Sequence, residues 1–232
     1  MILYGVGVGP GDPGLVTAEA LRVLGEADVV FIPISSKDRG SVAGDIYSKL
    51  NAERRTYPFL FPMTCDRKER DAGILSQLSE YGDLLRSAKS VALPVIGDSA
   101  LYATAAYLYS AWKNVCPDLE LRLIPGISAH SLASCVAGEF MALGEERIAI
   151  LPGSAEFSKL SAAMSASDCV ALYKPSALRD KLPRLVKETG PWSRSIRVHR
   201  AGLAEQRVVF SDEASSPTDD YLSVLLLWRN RA

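Results

Sequence analysis

The sequence predicts an α/β protein of two lobes, residues 1–124 and 125–232, with mixed sheets and a ligand-binding cleft between the lobes. Three observations lead there. Apolar runs rich in valine and isoleucine recur along the chain and alternate with segments of helical periodicity, the pattern of layered sheet and helix. Three of these runs end in glycine and a small polar residue and open at once into a helical pattern: Gly9-Pro10-Gly11-Asp12, Gly97-Asp98-Ser99-Ala100 and Gly126-Ile127-Ser128-Ala129. A polar stretch at 211–220 separates two late strand-like runs, which makes the end of the second lobe antiparallel.

Taken in order, the first lobe reads as strands at 2–6, 28–34, 90–96 and 119–124. The helix between the first two has Thr17 as N-cap, Glu19 in its first turn, and Ala20, Leu21 and Leu24 on its apolar face. A second helix covers 71–86. A third covers 100–112 and places Ala103, Tyr107 and Leu108 along one side. In the second lobe, strands are expected at 147–151, 168–173, 195–200, 207–210 and 221–228, with helices at 129–137, 155–164 and 176–188.

The bulk composition narrows the function. The chain has 232 residues, 48% of them hydrophobic and 23% charged, with a formal net charge of -1. That balance exerts no general pull on nucleic acid or anionic lipid, and no basic run with interleaved aromatics is present, so no nucleic-acid partner is expected. The late apolar run 224–228 is too short to span a bilayer, and residues 10–14 interrupt the early one; neither a membrane span nor a signal peptide is expected. Cys65, Cys116, Cys135 and Cys169 lie far apart and only His130 and His199 could join them, so the reading is a cytoplasmic protein with no protein-bound metal.

Gly9, Gly11 and Gly14 satisfy G-x-G-x-x-G, yet a dinucleotide site conflicts with the chemistry. Pro10 and Pro13 have no N–H to aim at a pyrophosphate, and the acid expected some twenty residues on, Asp28, precedes the second strand instead of ending it. A nicotinamide-dependent oxidoreductase is therefore the distant alternative. Bare glycine turns at strand ends are expected to let a bulky ligand approach the backbone.

Three segments, in this order, carry a specific resemblance: Gly-x-Gly-x-Gly-Pro-Gly-Asp-x-x-Leu-x-Thr from Gly5, Gly-Asp-x-x-Leu-Tyr-x-Thr from Gly97, and Pro-Gly-Ile-Ser-Ala from Pro125. Over essentially its whole length the chain resembles the tetrapyrrole (corrin/porphyrin) methyltransferase family. Phe61-Pro62-Met63-Thr64, Leu101-Tyr102-Ala103-Thr104 and Asp220-Tyr221-Leu222-Ser223 are similar to the branch that methylates C20 of precorrin-2 or cobalt-factor II in cobalamin biosynthesis. The resemblance implies a homodimer whose two lobes close over S-adenosylmethionine. It implies that Pro10, Ile96, Gly97, Asp98, Leu101, Ser128, Ala129, Leu172, Tyr173, Lys174, Gly202 and Leu203 bind this donor. Ser99 stands where the family usually has proline after Gly-Asp, and serine fixes φ less firmly than proline does; Lys174 stands where other branches often carry methionine.

A tetrapyrrole acceptor carries many carboxylates and asks for Arg and Lys. Lys37, Arg39 and Arg67 are the expected contacts, from a local supply that includes Arg54, Arg55, Lys68 and Arg70; a merely solvated surface is the competing reading. Transfer from a sulfonium is a direct displacement, so no essential catalytic side chain is expected. Tyr102, His130, Glu139 and Tyr221 are the polar candidates near the junctions. Alternatives are another tetrapyrrole carbon as acceptor, a diphthamide-type protein substrate, and a non-catalytic tetrapyrrole-binding protein.

Overall fold

The opening apolar run folds as β1 (Ile2–Gly7) in a computed structural model that describes residues 1–36, 40–50 and 54–230. It leads through a short 3-10 turn to α1 (Ala18–Glu26), whose N-cap is Thr17: its Oγ1 accepts from Ala20 N at 3.2 Å, as the sequence predicts. Then follow β2 (Val29–Ile34), α2 (Val42–Ser48), β3 (Thr56–Leu60), α3 (Arg67–Glu80), α4 (Gly82–Ser87), β4 (Ser90–Val95), α5 (Ala105–Lys113) and β5 (Glu120–Ile124). These elements lie in the first of two compact units, Met1–Ser128. Its sheet is ordered β3-β2-β4-β1-β5 and every pairing in it is parallel.

That order contains a reversal. The chain moves from β1 out to β2 and β3, returns to β4, and then crosses to β5 on the other side. The carboxyl ends of β1 and β4 therefore flank a topological switch point, the usual ligand position of an open parallel sheet. Helices cover both faces. Ala20, Val23 and Leu24 of α1 join Ala43 and Ile46 of α2 on one; Ile74 and Leu78 of α3 join Leu108 and Trp112 of α5 on the other. Gly5 makes room for this second layer, since a Cβ there would sit 3.0 Å from Ala105 Cβ.

The second unit, Ala129–Ala232, comprises α6 (Ala129–Ala137), β6 (Ile148–Pro152), α7 (Phe157–Ser165), β7 (Cys169–Tyr173), α8 (Lys181–Thr189), β8 (Arg194–His199), β9 (Arg207–Phe210), α9 (Ser211–Ser215) and β10 (Ser223–Trp228). Its sheet, ordered β6-β7-β10-β8-β9, is mixed: β6 and β7 are parallel and the other pairings antiparallel. One face packs on α7 and α8, the other on α6. Among the described residues, no helix is long and apolar enough to cross a membrane.

Several expected boundaries move, each for a local reason. The helix expected over 71–86 is two helices, broken at Tyr81, and begins at Arg67 because Asp66 Oδ1 accepts from Glu69 N at 2.9 Å. The helix expected from residue 100 begins at Ala105, because Tyr102 takes a left-handed φ of 53° that no α-helix runs through. The helix expected from 176 begins at Lys181, beyond a 3-10 turn at Pro175–Leu178 that ends in Arg179 at φ 49°. The polar loop 211–220 contains α9. Strand β3 and helix α2 were not expected at all.

Candidate functional site

The carboxyl edge of the first sheet is held together by backbone. Gly9 and Gly97 both take positive φ (73° and 76°) and pair across the switch point, Gly9 N to Gly97 O at 3.2 Å and Gly97 N to Gly9 O at 2.7 Å. The third loop closes on the same spot. A Cβ on Gly7 would lie 2.6 Å from Gly126 N and 2.8 Å from Gly97 O. The bare turns thus spend their bareness first on one another. Backbone already fills the space a side chain would take at Gly7.

Side chains fasten the same three loops. Asp98 Oδ1 accepts from Ala100 N at 2.8 Å and its Oδ2 from Gly126 N at 3.0 Å. The carboxylate therefore does not cap a helix; it ties the loop after β4 to the loop after β5. Ser99, 4% exposed, donates its hydroxyl to Ile124 O at 2.8 Å. The firmness lost with the family's proline is supplied by this buried hydrogen bond. Thr17 Oγ1 donates to Pro125 O at 3.4 Å and adds the start of α1. Of the expected donor residues, Pro10 and Gly97 are buried in this frame, Asp98, Leu101 and Ser128 are half-buried, and Ile96 is exposed. Tyr102 is exposed on the same loop. Desolvation pushes its hydroxyl above the ordinary range, so it is protonated at neutral pH and cannot serve as a ready base.

Asp28 lies at the opposite edge. Its Oδ2 accepts from Lys89 N (2.8 Å), Ser90 N (2.9 Å) and Ser90 Oγ (3.0 Å) at the start of β4, and the Lys89 N–H leads in holding its carboxyl below the ordinary range. This acid pins the amino ends of two strands and is remote from the glycine loops, which removes the ribose contact that a dinucleotide reading needs.

In the second unit, β7 ends in the expected Leu172-Tyr173-Lys174. The Leu172 side chain is wholly buried in the core of the second unit. The Tyr173 hydroxyl accepts from His130 N at 3.1 Å and shares a 2.8 Å hydrogen bond with His130 Nδ1, joining the first turn of α6, including Ala129, to the end of β7. Lys174 takes a left-handed φ of 52° and sets its ammonium 4.8 Å from the centre of the Tyr221 ring. Gly202, at φ 80°, and Leu203 form a turn closed by Leu203 N to Arg200 O at 2.9 Å. Glu139 forms an ion pair with Arg194 at 2.6 Å, and its carbonyl accepts from Ser134 Oγ; it is committed to the end of α6.

Three of the five non-glycine residues with positive φ among the described residues, Tyr102, Lys174 and Arg200, stand at these strand-end loops. Such strain collects where a fold is built around a ligand, and nothing in residue type announces it. Lys174→Gly should be more stable than Lys174→Ala by about 1 kcal/mol, because only glycine adopts that φ at no cost. Urea unfolding midpoints of the two variants measure it; equal midpoints would contradict the left-handed backbone.

The basic cluster resolves into two groups. Arg54 donates to Gly25 O at 2.6 Å and Arg55 lies over the Tyr57 ring, both toward the start of β3 and away from the glycine loops. Arg67, Lys68 and Arg70 fall inside the first turns of α3, at the carboxyl edge. Arg67 is largely exposed and 3.5 Å from Asp71; the Arg70 guanidinium stacks 4.3 Å from the centre of the Tyr107 ring. Lys37 and Arg39 lie outside the described residues. Among the described residues, no group of three His, Cys, Asp or Glu side chains is placed to hold a metal ion.

Backbone-built loops at the switch point of a parallel sheet, with a second α/β unit following, define a small-ligand-binding α/β protein of two units. Residues 2–215 match the family model of tetrapyrrole (corrin/porphyrin) methylases, and the chain belongs to that family. It is 30% identical to the protein of Methanocaldococcus jannaschii named "Probable cobalt-precorrin-2 C(20)-methyltransferase", over 98% of this chain and 96% of that one. It is 24% identical to a precorrin-2 C(20)-methyltransferase of Sinorhizobium, over 99% and 96%. Among solved structures, a cobalt precorrin-4 methyltransferase matches with a TM-score of 0.70 at 20% identity, covering 98% of this chain and 94% of that one. The uroporphyrin-III C-methyltransferase of Thermus thermophilus, complexed with S-adenosylhomocysteine, matches with a TM-score of 0.69 at 18% identity, covering 98% and 97%. Both structures speak for the fold alone.

Proposed function

We propose that this protein is an S-adenosylmethionine-dependent C-methyltransferase acting on C20 of precorrin-2 or cobalt-factor II in cobalamin biosynthesis, and that it works as a homodimer in the cytoplasm. The observation that carries the reading is the convergence of three family motifs, through Gly9, Gly97-Asp98 and Gly126, at the switch point of the first sheet. Full-length likeness to two relatives named for the C20 reaction supports the choice of carbon.

The residues present fit the donor. Ile96 is an exposed apolar side chain beside the Gly9–Gly97 bridge, suited to an uncharged part of it. Asp98 uses each carboxylate oxygen once, and an ionised carboxylate has lone pairs left for an ammonium group. Pro10, Gly97, Leu101 and Ser128 of the first unit, and Ala129, Tyr173, Lys174, Gly202 and Leu203 of the second, are the proposed remaining contacts. For the acceptor's carboxylates, Arg67 stands at the carboxyl edge and is the proposed contact, with Lys37 and Arg39.

S-adenosylmethionine supplies a methyl group already activated by the sulfonium charge. The protein's work is then to align an electron-rich carbon with that methyl and exclude water, and positioning of this kind is worth roughly 7–11 kcal/mol of barrier. The rigid loop frame meets that need without an acid or base. His130 and Glu139, bonded to Tyr173 and Arg194, hold structure in this reading.

The test is incubation with methyl-labelled S-adenosylmethionine and dimethylated substrate, metal-free and cobalt-bearing, followed by mass spectrometry and NMR location of the new methyl. Label at C20 of either substrate is the expected result. Transfer to another carbon overturns the choice of acceptor atom, and no transfer to either substrate overturns the reading itself.

A further inference from the structure

Buried charged side chains of the second unit, unused in the reading above, converge behind Tyr221. Arg197 and His199 stand two apart on β8, hence on one face of the sheet, and are 4% and 1% exposed. Arg197 Nε–H can only donate, and it lies 3.0 Å from His199 Nε2. That nitrogen is therefore the acceptor, and the proton of the neutral ring sits on Nδ1, 3.2 Å from Asp220 Oδ2. A buried cation is thus joined to a carboxylate through an imidazole of fixed tautomer.

The same groups clamp the loop leading into β10. Arg197 Nη1 donates to Ser216 O. Asp220 Oδ1 accepts from Leu222 N at 3.1 Å, and Asp220 O accepts from Ser223 Oγ at 2.7 Å. Arg200 N donates to Leu222 O at 2.6 Å, and Arg200 Nε to Asp220 Oδ2 at 3.4 Å. Tyr221 is the residue between these ties, and it is 56% exposed beneath the Lys174 ammonium. The register completes the row: Lys174 N donates to Ser223 O at 3.2 Å, and Ser223 pairs with His199.

We propose that Asp220, acting through His199, is a positioning group that holds the Tyr221–Lys174 pair in the geometry that meets the methyl donor; this rests on the assignment of Lys174 to donor binding. The clamp works only with a neutral ring. A second proton would enter at Nε2, against Arg197 Nε–H and with Arg207 Nη2 3.5 Å away. Burial first, then Arg197, hold the imidazole below its ordinary range, with Asp220 opposing. Glu213 of α9 lies 3.7 Å from Arg207, and α6 lies against the other face of β8, where Ala133 packs with Ile196 and Val198. The sign follows: a base whose folded-state pKa is lowered contributes stability above its ordinary value of 6.5, and that contribution is lost as pH falls below it.

The experiment compares wild type with His199→Gln at about pH 8 and at the lowest pH at which both proteins remain folded, since the buried ring takes up its second proton only below the ordinary imidazole range. Gln can still accept from Arg197 and donate to Asp220, but it does not titrate. Calorimetric titration with S-adenosylhomocysteine reads affinity, and hydrogen exchange of 216–223, corrected for intrinsic rates, reads the clamp. Wild-type affinity should fall about tenfold on acidification, the order expected for the loss of one hydrogen bond to a charged group, while exchange in 216–223 quickens. His199→Gln should match the wild type at the higher pH and lose neither affinity nor protection at the lower. A flat wild-type affinity, which needs no variant to measure, overturns the proposal, as does the same acid loss in His199→Gln. Failure of folded wild type to bind S-adenosylhomocysteine at the higher pH overturns the donor reading instead, and exchange that still responds to pH through His199 would separate the two failures.

Discussion

Gly7→Ala should destabilise the protein by more than about 3 kcal/mol and abolish binding of S-adenosylhomocysteine. The added methyl would lie 2.6 Å from Gly126 N, 2.8 Å from Gly126 Cα and 2.8 Å from Gly97 O. All three atoms are backbone, in two segments distant in sequence from β1, so no side chain can turn aside to make room. Overpacking of an ordinary core costs about 1–3 kcal/mol because rotamers relax; here the relaxation available is separation of the loops themselves. With stabilities of roughly 5–15 kcal/mol as the norm, the variant would have lost a large share of its margin. Gly25→Ala is the matched control. Its Cβ meets nothing within 4 Å and lies inside α1, so it should be neutral or stabilise by up to about 1 kcal/mol. Denaturant midpoints and donor calorimetry on both variants check the pair. A Gly7→Ala protein with the wild-type midpoint would mean that the three loops do not meet as described.

Much of this frame is legible in the residues because burial writes itself as apolar runs. The strands around 2–6, 28–34, 90–96 and 119–124 all appear within a residue or two of their expected places, since each is a valine- or leucine-rich run closed by a turn signal. Strand β3 does not announce itself: it is five residues long, contains Pro58, and survives because it pairs with β2 alone at the sheet edge. The late start of α5 is also silent. Residues 100–104 have helical composition, and what stops the helix is the Asp98–Ala100 turn, which Asp98 also ties to Gly126 in the loop after β5, together with the φ of Tyr102.

The candidate site divides in the same way. The glycine–polar junctions are readable as places, but their partners are not. Nothing in Gly9 points to Gly97, and nothing in Ser99 points to the carbonyl of Ile124, because both pairings cross long stretches of chain. The charged row behind Tyr221 shows the limit most clearly. Arg197 and His199 look like surface residues of a strand, and Asp220 like part of a polar loop; only the antiparallel return of β10 beside β8 brings them together and buries them. Its clearest trace in the sequence is Asp220-Tyr221-Leu222-Ser223, which family likeness marks.

Asp98→Ala should lower kcat/KM by about 100-fold, the order expected when reacting groups are displaced by about 1 Å. Both oxygens are in use, one on Ala100 N and the other on Gly126 N, so one carboxylate spans 28 residues of sequence and sets the loop after β5 against the loop after β4. Alanine would leave the part-buried Gly126 N–H without its acceptor, which costs about 1–3 kcal/mol. Asparagine is not a conservative replacement here. It has one oxygen to offer, and its NH2 group would meet the second N–H donor against donor. If loop-holding is the role, Asp98→Asn should fall close to Asp98→Ala in activity, both should lose stability, and amide exchange at Gly126 should quicken without any ligand present. If the carboxylate served only to balance the donor's ammonium, the variants would raise KM for S-adenosylmethionine and leave stability, Gly126 exchange and kcat where they were. The two bonds already made by Asp98 decide for the first outcome, and a variant that changes KM alone would show that they carry no load.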